Sequence, residues 1–306
     1  MPKFDVSRNI LVKSPRAEVF AHIRNFKTWP GWSPWLITEP DCALNYEGSD
    51  AYSWEGVTVG SGRMEIVATG ENGASIDYRL TFLKPWKSVA DVRMILAEEG
   101  DRTRVTWSMN SSIPFFMFWK KSTIVAMIGM DYERGLRMLK DQLETGSVPT
   151  HLAFEESVGF DGCRYVGIHR ECSIKEMGSN QERDLAKVQS WVDDHRDDPT
   201  GLPFSIYHQW KLAAGRVTYT LGIPMANVTV VPNDLVTGAI PACDCYVVRH
   251  TGPFRHVGNA WAAGMMRAQS GIFKSSRSAK PFEVYEKLPK GPNCADAITA
   301  VYLPRR

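Results

Sequence analysis

Long apolar runs are missing from this 306-residue sequence. The most hydrophobic stretch, Ile113 to Met130, is broken by Lys120, Lys121, Ser122 and Thr123, whereas a bilayer-spanning helix needs about 20 consecutive apolar residues. Met1-Pro2-Lys3-Phe4-Asp5 lacks the apolar core of a secretory signal, so a cytoplasmic location is expected. Cysteine is scarce: six are present, only Cys243 and Cys245 are close in sequence, and no CxxC pair occurs. Reduced thiols follow from that context. No metal is expected, because a closed site needs about four placed ligands and Cys243-Asp244-Cys245 has no partner pair. Asp193, Asp194, Asp197 and Asp198 read as a solvated helix end and loop rather than a metal cage.

An excess of one charge is missing too. Residues 1–150 hold 18 Lys+Arg against 18 Asp+Glu, and the remainder 18 against 16. Neither half has the basic footprint of a nucleic-acid binder, and no helix-turn-helix, zinc-finger or RNA-binding aromatic motif occurs, so no nucleic-acid and no membrane partner is expected. There is no G-x-S-x-G elbow, H-E-x-x-H, P-loop or dinucleotide fingerprint. Mechanisms built on a serine nucleophile, zinc, ATP or NAD are disfavoured, and no cofactor is expected.

What is present begins with strands. Ile76, Tyr78, Leu80 and Phe82 alternate with Asp77, Arg79 and Thr81, and Thr103, Val105, Trp107 and Met109 alternate with Arg104, Thr106 and Ser108. That is the period of strands with one buried face. Val92, Met94 and Leu96 mark a strand between them. The period then lengthens: Ile124, Ile128, Tyr132, Leu136, Leu139 and Leu143 recur at steps of three and four, predicting a long helix that starts a few residues after Pro114 and stops near Gly146. Ser14-Pro15 predicts a shorter helix, with Ser14 as N-cap and Pro15 at its first position. A sheet with one long helix across its concave face encloses a cavity. Trp32 and Trp35 of the run Trp29 to Trp35, with Trp54, Trp86 and Trp107, are candidates to line it, and large rings make fillings as well as walls.

On Ser14-Pro15 before a helix with Val19-Phe20, then Trp29 through Trp35, then the terminal helix, residues 1–147 resemble the START-like helix-grip superfamily (SRPBCC), described as polyketide cyclase/dehydrase and lipid transport. The resemblance implies an antiparallel sheet wrapped on a long C-terminal helix around a ligand cavity, and it leaves the ligand open. His22, the only histidine in this half, reads as a surface or helix-packing residue, and no His–carboxylate constellation argues for a cyclase.

The remainder, residues 148–306, holds a repeat. Pro203-Phe204-Ser205-Ile206-Tyr207 recurs as Pro281-Phe282-Glu283-Val284-Tyr285, 78 positions later, each copy after a helix-like stretch carrying Trp191 or Trp261. Two copies and no more suggest two βαββ halves closing on each other. Alternation puts Glu283, Tyr285 and Lys287 on one strand face and Phe282, Val284 and Glu286 on the other. Ser205 and Tyr207 take the equivalent places in the first copy.

Arg249-His250-Thr251-Gly252-Pro253-Phe254, the Trp261 helix, Pro281 to Tyr285 and Ala300-Val301-Tyr302-Leu303-Pro304 look like the GyrI-like, or AraC-type effector-binding, domain. The fold class is thus α+β, a helix grip followed by a duplicated βαββ domain of GyrI-like/SOUL type. The resemblance implies a cleft between pseudo-symmetric halves that binds small, often cationic molecules, with Glu283 as the central carboxylate. Tyr246 is a weaker candidate for the wall, Trp210 and Trp261 are possible lids, and His250 reads as the residue leading into the Gly252-Pro253 turn.

Three functions remain open. A non-catalytic binder or sensor would hold an apolar or cationic small molecule and pass any signal to a protein partner. A hydrolase would use Glu283 as base with Tyr246 or Tyr285 polarising the substrate. An interaction protein would fill both cores with its ten tryptophans and twelve methionines.

Overall fold

The computed structural model describes residues 3–85, 87–113, 115–195, 199–227, 230–291 and 293–306, with only the backbone of 115–117 and 195. Trp86, Pro114, Asp197 and Asp198, named above, lie outside the described residues. The chain forms two compact units, Met1–Pro149 and Thr150–Arg306. Among the described residues no helix is long and apolar enough to cross a membrane.

The first unit follows its hydrophobic periods. Strands β1 (Lys3–Val12), β2 (Ala43–Glu47), β3 (Ala51–Glu55), β4 (Ser61–Thr69), β5 (Ser75–Lys84), β6 (Ser88–Glu99) and β7 (Arg102–Ser112) form one antiparallel sheet, ordered β1-β7-β6-β5-β4-β3-β2. Helix α1 (Arg16–Arg24) follows β1 and helix α2 (Lys121–Thr145) ends the unit. Helix α2 buries Tyr132, Leu136, Met138 and Leu139 and stops where Gly146 turns left-handed at φ 81°, its N–H bonding the Gln142 carbonyl. The α1 cap sits one residue later than expected. Pro15 is the N-cap, and the Ser14 hydroxyl donates to the Glu18 carboxylate at 2.9 Å instead of accepting from a helix N–H. A carboxylate one turn away competes with the orphan N–H groups for that hydroxyl.

The second unit carries the repeat. Its strands β8 (His151–Phe160), β9 (Cys163–Ser173), β10 (Phe204–Lys211), β11 (Arg216–Pro224), β12 (Val236–Ile240), β13 (Cys243–Thr251), β14 (Phe282–Lys287) and β15 (Ile298–Pro304) form an antiparallel sheet ordered β12-β9-β11-β10-β14-β15-β13-β8. Helix α3 (Met177–His195) lies between β9 and β10 in sequence, and α4 (Gly258–Gln269) between β13 and β14. Each half thus has the expected βαββ order plus one leading strand. Those leading strands are exchanged: β8 pairs with β13 of the other half, and β12 with β9. The halves meet where β10 pairs β14, with Ser205 opposite Glu283.

Strand parity divides the unit's core. Tyr207, Tyr219, Leu221 and Tyr285 pack with Val188 and Val192 of α3, and Tyr246, Val248 and Val301 with Ala260 and Ala263 of α4. The opposite face buries Phe204, Ile206, Val247 and Phe282.

Candidate functional site

The seam between β10 and β14 brings four side chains of the repeat together. Register places Ser205 beside Glu283, and alternation puts Tyr207 and Tyr285 on that same face. The helices complete the group, α3 supplying Gln181 and α4 supplying Trp261. Glu283 is buried, at 4% exposure. Its Oε1 accepts from the Tyr207 hydroxyl at 2.7 Å and the Tyr285 hydroxyl at 2.9 Å, and its Oε2 from Trp261 Nε1–H at 2.6 Å. Gln181 Nε2 donates to the Tyr207 oxygen at 2.9 Å and to Ser205 Oγ at 3.1 Å, and lies 3.3 Å from the Tyr285 oxygen. Because Tyr285 gives its proton to Glu283, the Ser205 hydroxyl donates across their 2.7 Å contact.

Three protons of this cluster go to the carboxylate, and those of Gln181 and Ser205 go to the oxygens that surround it. Burial pushes the Glu283 carboxyl above its ordinary range, while the bonds from Trp261, Tyr207 and Tyr285 pull it back. Burial also drives both phenols well above the usual tyrosine range, so they stay protonated donors. Among the described residues no Lys, Arg or His forms an ion pair with Glu283. The site is a neutral cage of donors around one acid.

Rings surround it. Tyr207 stacks on Trp210 at 5.0 Å and meets Trp261 edge-on at 4.9 Å, and Phe254, which is exposed, lies 5.7 Å from Tyr285. Behind Tyr207, the Tyr219 hydroxyl donates to Asp184 at 2.7 Å, and Arg170 forks onto both Asp184 oxygens at 2.7 and 2.5 Å. Asp184, itself buried, is one turn along α3 from Gln181, so its bonds to Tyr219 and the half-buried Arg170 fix the helix that carries the amide.

Glu283, Ser205, Tyr207, Tyr285, Trp210 and Trp261 therefore stand together. Tyr246 stands apart: it is buried on β13 and stacks on Phe273 at 4.6 Å, within the α4 cluster. His250 is buried near the end of β13, where the chain leads into the Gly252-Pro253 turn, and its Nε2 meets the hydroxyl of Thr150 in the segment before β8 at 2.9 Å. Gln181 and Phe254 were not anticipated. Gln181, Leu185, Val188 and Val192 share α3's inward stripe, and an amide at a core position of that stripe is the signal that marks it. Cys243 and Cys245 hold their sulfurs 3.6 Å apart.

The tryptophan candidates of the first unit belong to a separate cluster. Trp107 stacks on Tyr132 at 4.1 Å and meets Trp32 and Trp35 edge-on at 5.6 and 5.9 Å, while Trp54 lies against Tyr52 and Phe82. The space under α2 is thus packed with rings. Trp29, Trp35 and Trp54 give their N–H groups to the Ile23 carbonyl, Asp131 and the Val59 carbonyl. By contrast, Trp32 Nε1, Trp107 Nε1 and the Tyr132 hydroxyl are buried with no partner among the described residues. His22 is half-buried, and burial lowers its pKa.

Two family models divide the chain between them. The model for polyketide cyclase / dehydrase and lipid transport matches residues 3–144, and that for the GyrI-like small molecule binding domain matches 158–306. The chain thus has a polyketide cyclase-type domain followed by a GyrI-like domain, one per unit. The Glu283 cage lies in the GyrI-like unit and the Trp107 cluster in the polyketide cyclase unit, and both are families of small-molecule-binding domains. Among solved structures, the chain is similar to EcmrR in a complex with DNA (14% identity over 62% of this chain and 68% of that one, TM-score 0.43). It is also similar to SAV2435 bound to tetraphenylphosphonium (13%, 50% and 94%, TM-score 0.40) and to XoxI from Bacillus cereus (14%, 45% and 94%, TM-score 0.37). No curated protein matches the chain.

Proposed function

We propose that the GyrI-like unit binds small lipophilic cations at Glu283, and that the chain is a ligand-binding or sensing protein. One observation carries this reading: a buried carboxylate receives three hydrogen bonds from neutral donors and has no cationic partner among the described residues. A charge in that position is costly alone and favourable when a cation shares it. The rings of Tyr207, Trp210 and Trp261 add cation–π attraction, about 2 kcal/mol for a desolvated contact. With balanced charge in each half and no recognisable nucleic-acid motif, the regulatory output goes to a protein partner.

Titration with tetraphenylphosphonium, followed calorimetrically on the wild type and Glu283→Gln, tests the cation site. Saturable binding is expected in the wild type, with at least about a tenfold loss in the variant. Equal affinity in both would remove Glu283 from the site. A hydrolase would keep the same carboxylate, with Tyr285 in place of the remote Tyr246; Glu283-dependent product formation from small electrophiles distinguishes it from a binder.

A further inference from the structure

Register gathers several chain segments at one end of the first unit's sheet. Lys3 pairs Ser112, Phe82 pairs Ser88, and Ser61 pairs both Glu55 and Lys84. The starts of β1, β4 and β6 and the ends of β3, β5 and β7 therefore lie together. The chain leaves β7 here and enters α2. That helix runs away from this end, since Glu133 meets Arg8 and Glu144, further along, accepts from the Lys13 N–H.

Apolar side chains that folding normally buries are exposed at this end. Trp119 is 62% and Phe118 55% exposed, packed edge-on at 5.6 Å, while Val57 is exposed on the β3–β4 turn and Leu83 and Val89 at the end of β5 and the start of β6. Around them Lys3, Lys87, Lys120 and Lys121 are exposed, and none has an ion-pair partner among the described residues. Lys84 is neutralised by Glu55 at 3.0 Å. Of the other nearby acids, Glu39 is held on the β3–β4 turn, accepting from the Val57, Thr58 and Val59 N–H groups, while Asp5 and Asp91 lie two and three residues back along their strands. No acidic residue occurs between Asp101 and Asp131.

We propose that this end of the first unit docks on an anionic lipid surface. Phe118 and Trp119 enter the headgroup region, where aromatic rings are favoured, and the four lysines meet lipid phosphates and carboxylates. The mix of rings with unpaired cations argues for this occupant over a protein core, where interface centres are depleted in lysine. A surface contact needs no spanning helix, and a local patch of lysines is compatible with the balanced charge of residues 1–150 as a whole. This docking goes beyond ligand binding and does not depend on Glu283.

Flotation of the full chain with vesicles tests it, using phosphatidylcholine alone or with phosphatidylserine. Co-flotation is expected only with the anionic vesicles, weakening as salt rises. Phe118→Ser with Trp119→Ser should weaken binding at least about tenfold. Lys120→Glu with Lys121→Glu should weaken it more, each lysine being worth about fivefold before its charge is reversed. All four positions are exposed, so both variants should keep the wild-type melting midpoint. Failure of the wild type to float with anionic vesicles overturns the proposal, as does unchanged flotation of both variants. Sedimentation velocity supplies a further check: a wild-type dimer that the Phe118/Trp119 variant converts to monomer would make this face a self-interface and also overturn it.

Discussion

At the scale of single residues, Glu283 ties stability and binding to pH in opposite senses. Burial raises its folded pKa above the ordinary 4.5, so the folded chain holds the proton more tightly than the unfolded one. Its contribution to stability is complete below pH 4.5 and declines as pH rises through the folded value. Cation affinity should run the other way, constant above the raised value and falling about tenfold per pH unit below it. Calorimetric titration across pH checks this, and Glu283→Gln should flatten the profile. His250 works in the ordinary sense of a buried neutral imidazole. Burial, with His256 and His151 nearby, lowers its pKa from 6.5 to about 4. Its stabilising contribution is present above pH 6.5 and is lost as pH falls towards 4, up to about 3 kcal/mol. Urea unfolding at several pH values should show that loss in the wild type and less of it in His250→Asn. Much of the Glu283 cluster was legible because strand parity and the repeat align Ser205 and Tyr207 with Glu283 and Tyr285. Tyr246 shares that sheet face, but β15 stands between β13 and β14, and parity says nothing of how many strands separate two residues.

At the scale of elements, legibility followed the strength of the period. Helix α2 keeps a stripe over 25 residues and ends at a glycine, so both its existence and its end could be read. The leading strands β8 and β12 could not. Strand β8 has no fully buried residue and β12 only one, Ile240, so little alternation is written into either; pairing with the other half, not local pattern, makes them strands. Helix α3 is held by a device equally hidden from sequence, the Asp184 carboxylate between Arg170 and Tyr219. Asp184→Asn removes the charge, weakens the Arg170 fork and turns an amide donor towards a partner that also donates. A loss of about 2–4 kcal/mol in the second unit's unfolding transition is expected. Because the same helix carries Gln181, tetraphenylphosphonium affinity should also fall, measurably more than for a surface change such as Glu182→Gln. A destabilised variant with wild-type affinity would show that Gln181 does not depend on this anchor.

At the scale of the whole molecule, the duplication is not a pair of independent modules. Exchange of β8 and β12 leaves each half, taken alone, with a leading strand whose partner belongs to the other half. The core opposite the helices draws Phe204 and Ile206 from one half and Val247 and Phe282 from the other, so cutting the unit exposes that core as well as two sheet edges. The cage divides in the same way, since Gln181, Ser205 and Tyr207 precede the cut while Trp261, Glu283 and Tyr285 follow it. Half of this unit falls in the size range where a single small core seldom suffices. A fragment of residues 150–227 should therefore lack the dispersed amide spectrum and cooperative melting of a folded domain. Added to residues 230–306, it should regain both only as a one-to-one complex, and tetraphenylphosphonium binding should return with that complex. A monomeric fragment that melts cooperatively alone would mean that β9, α3, β10 and β11 suffice for a fold, and that the exchanged strands and shared core are additions to it, not its foundation.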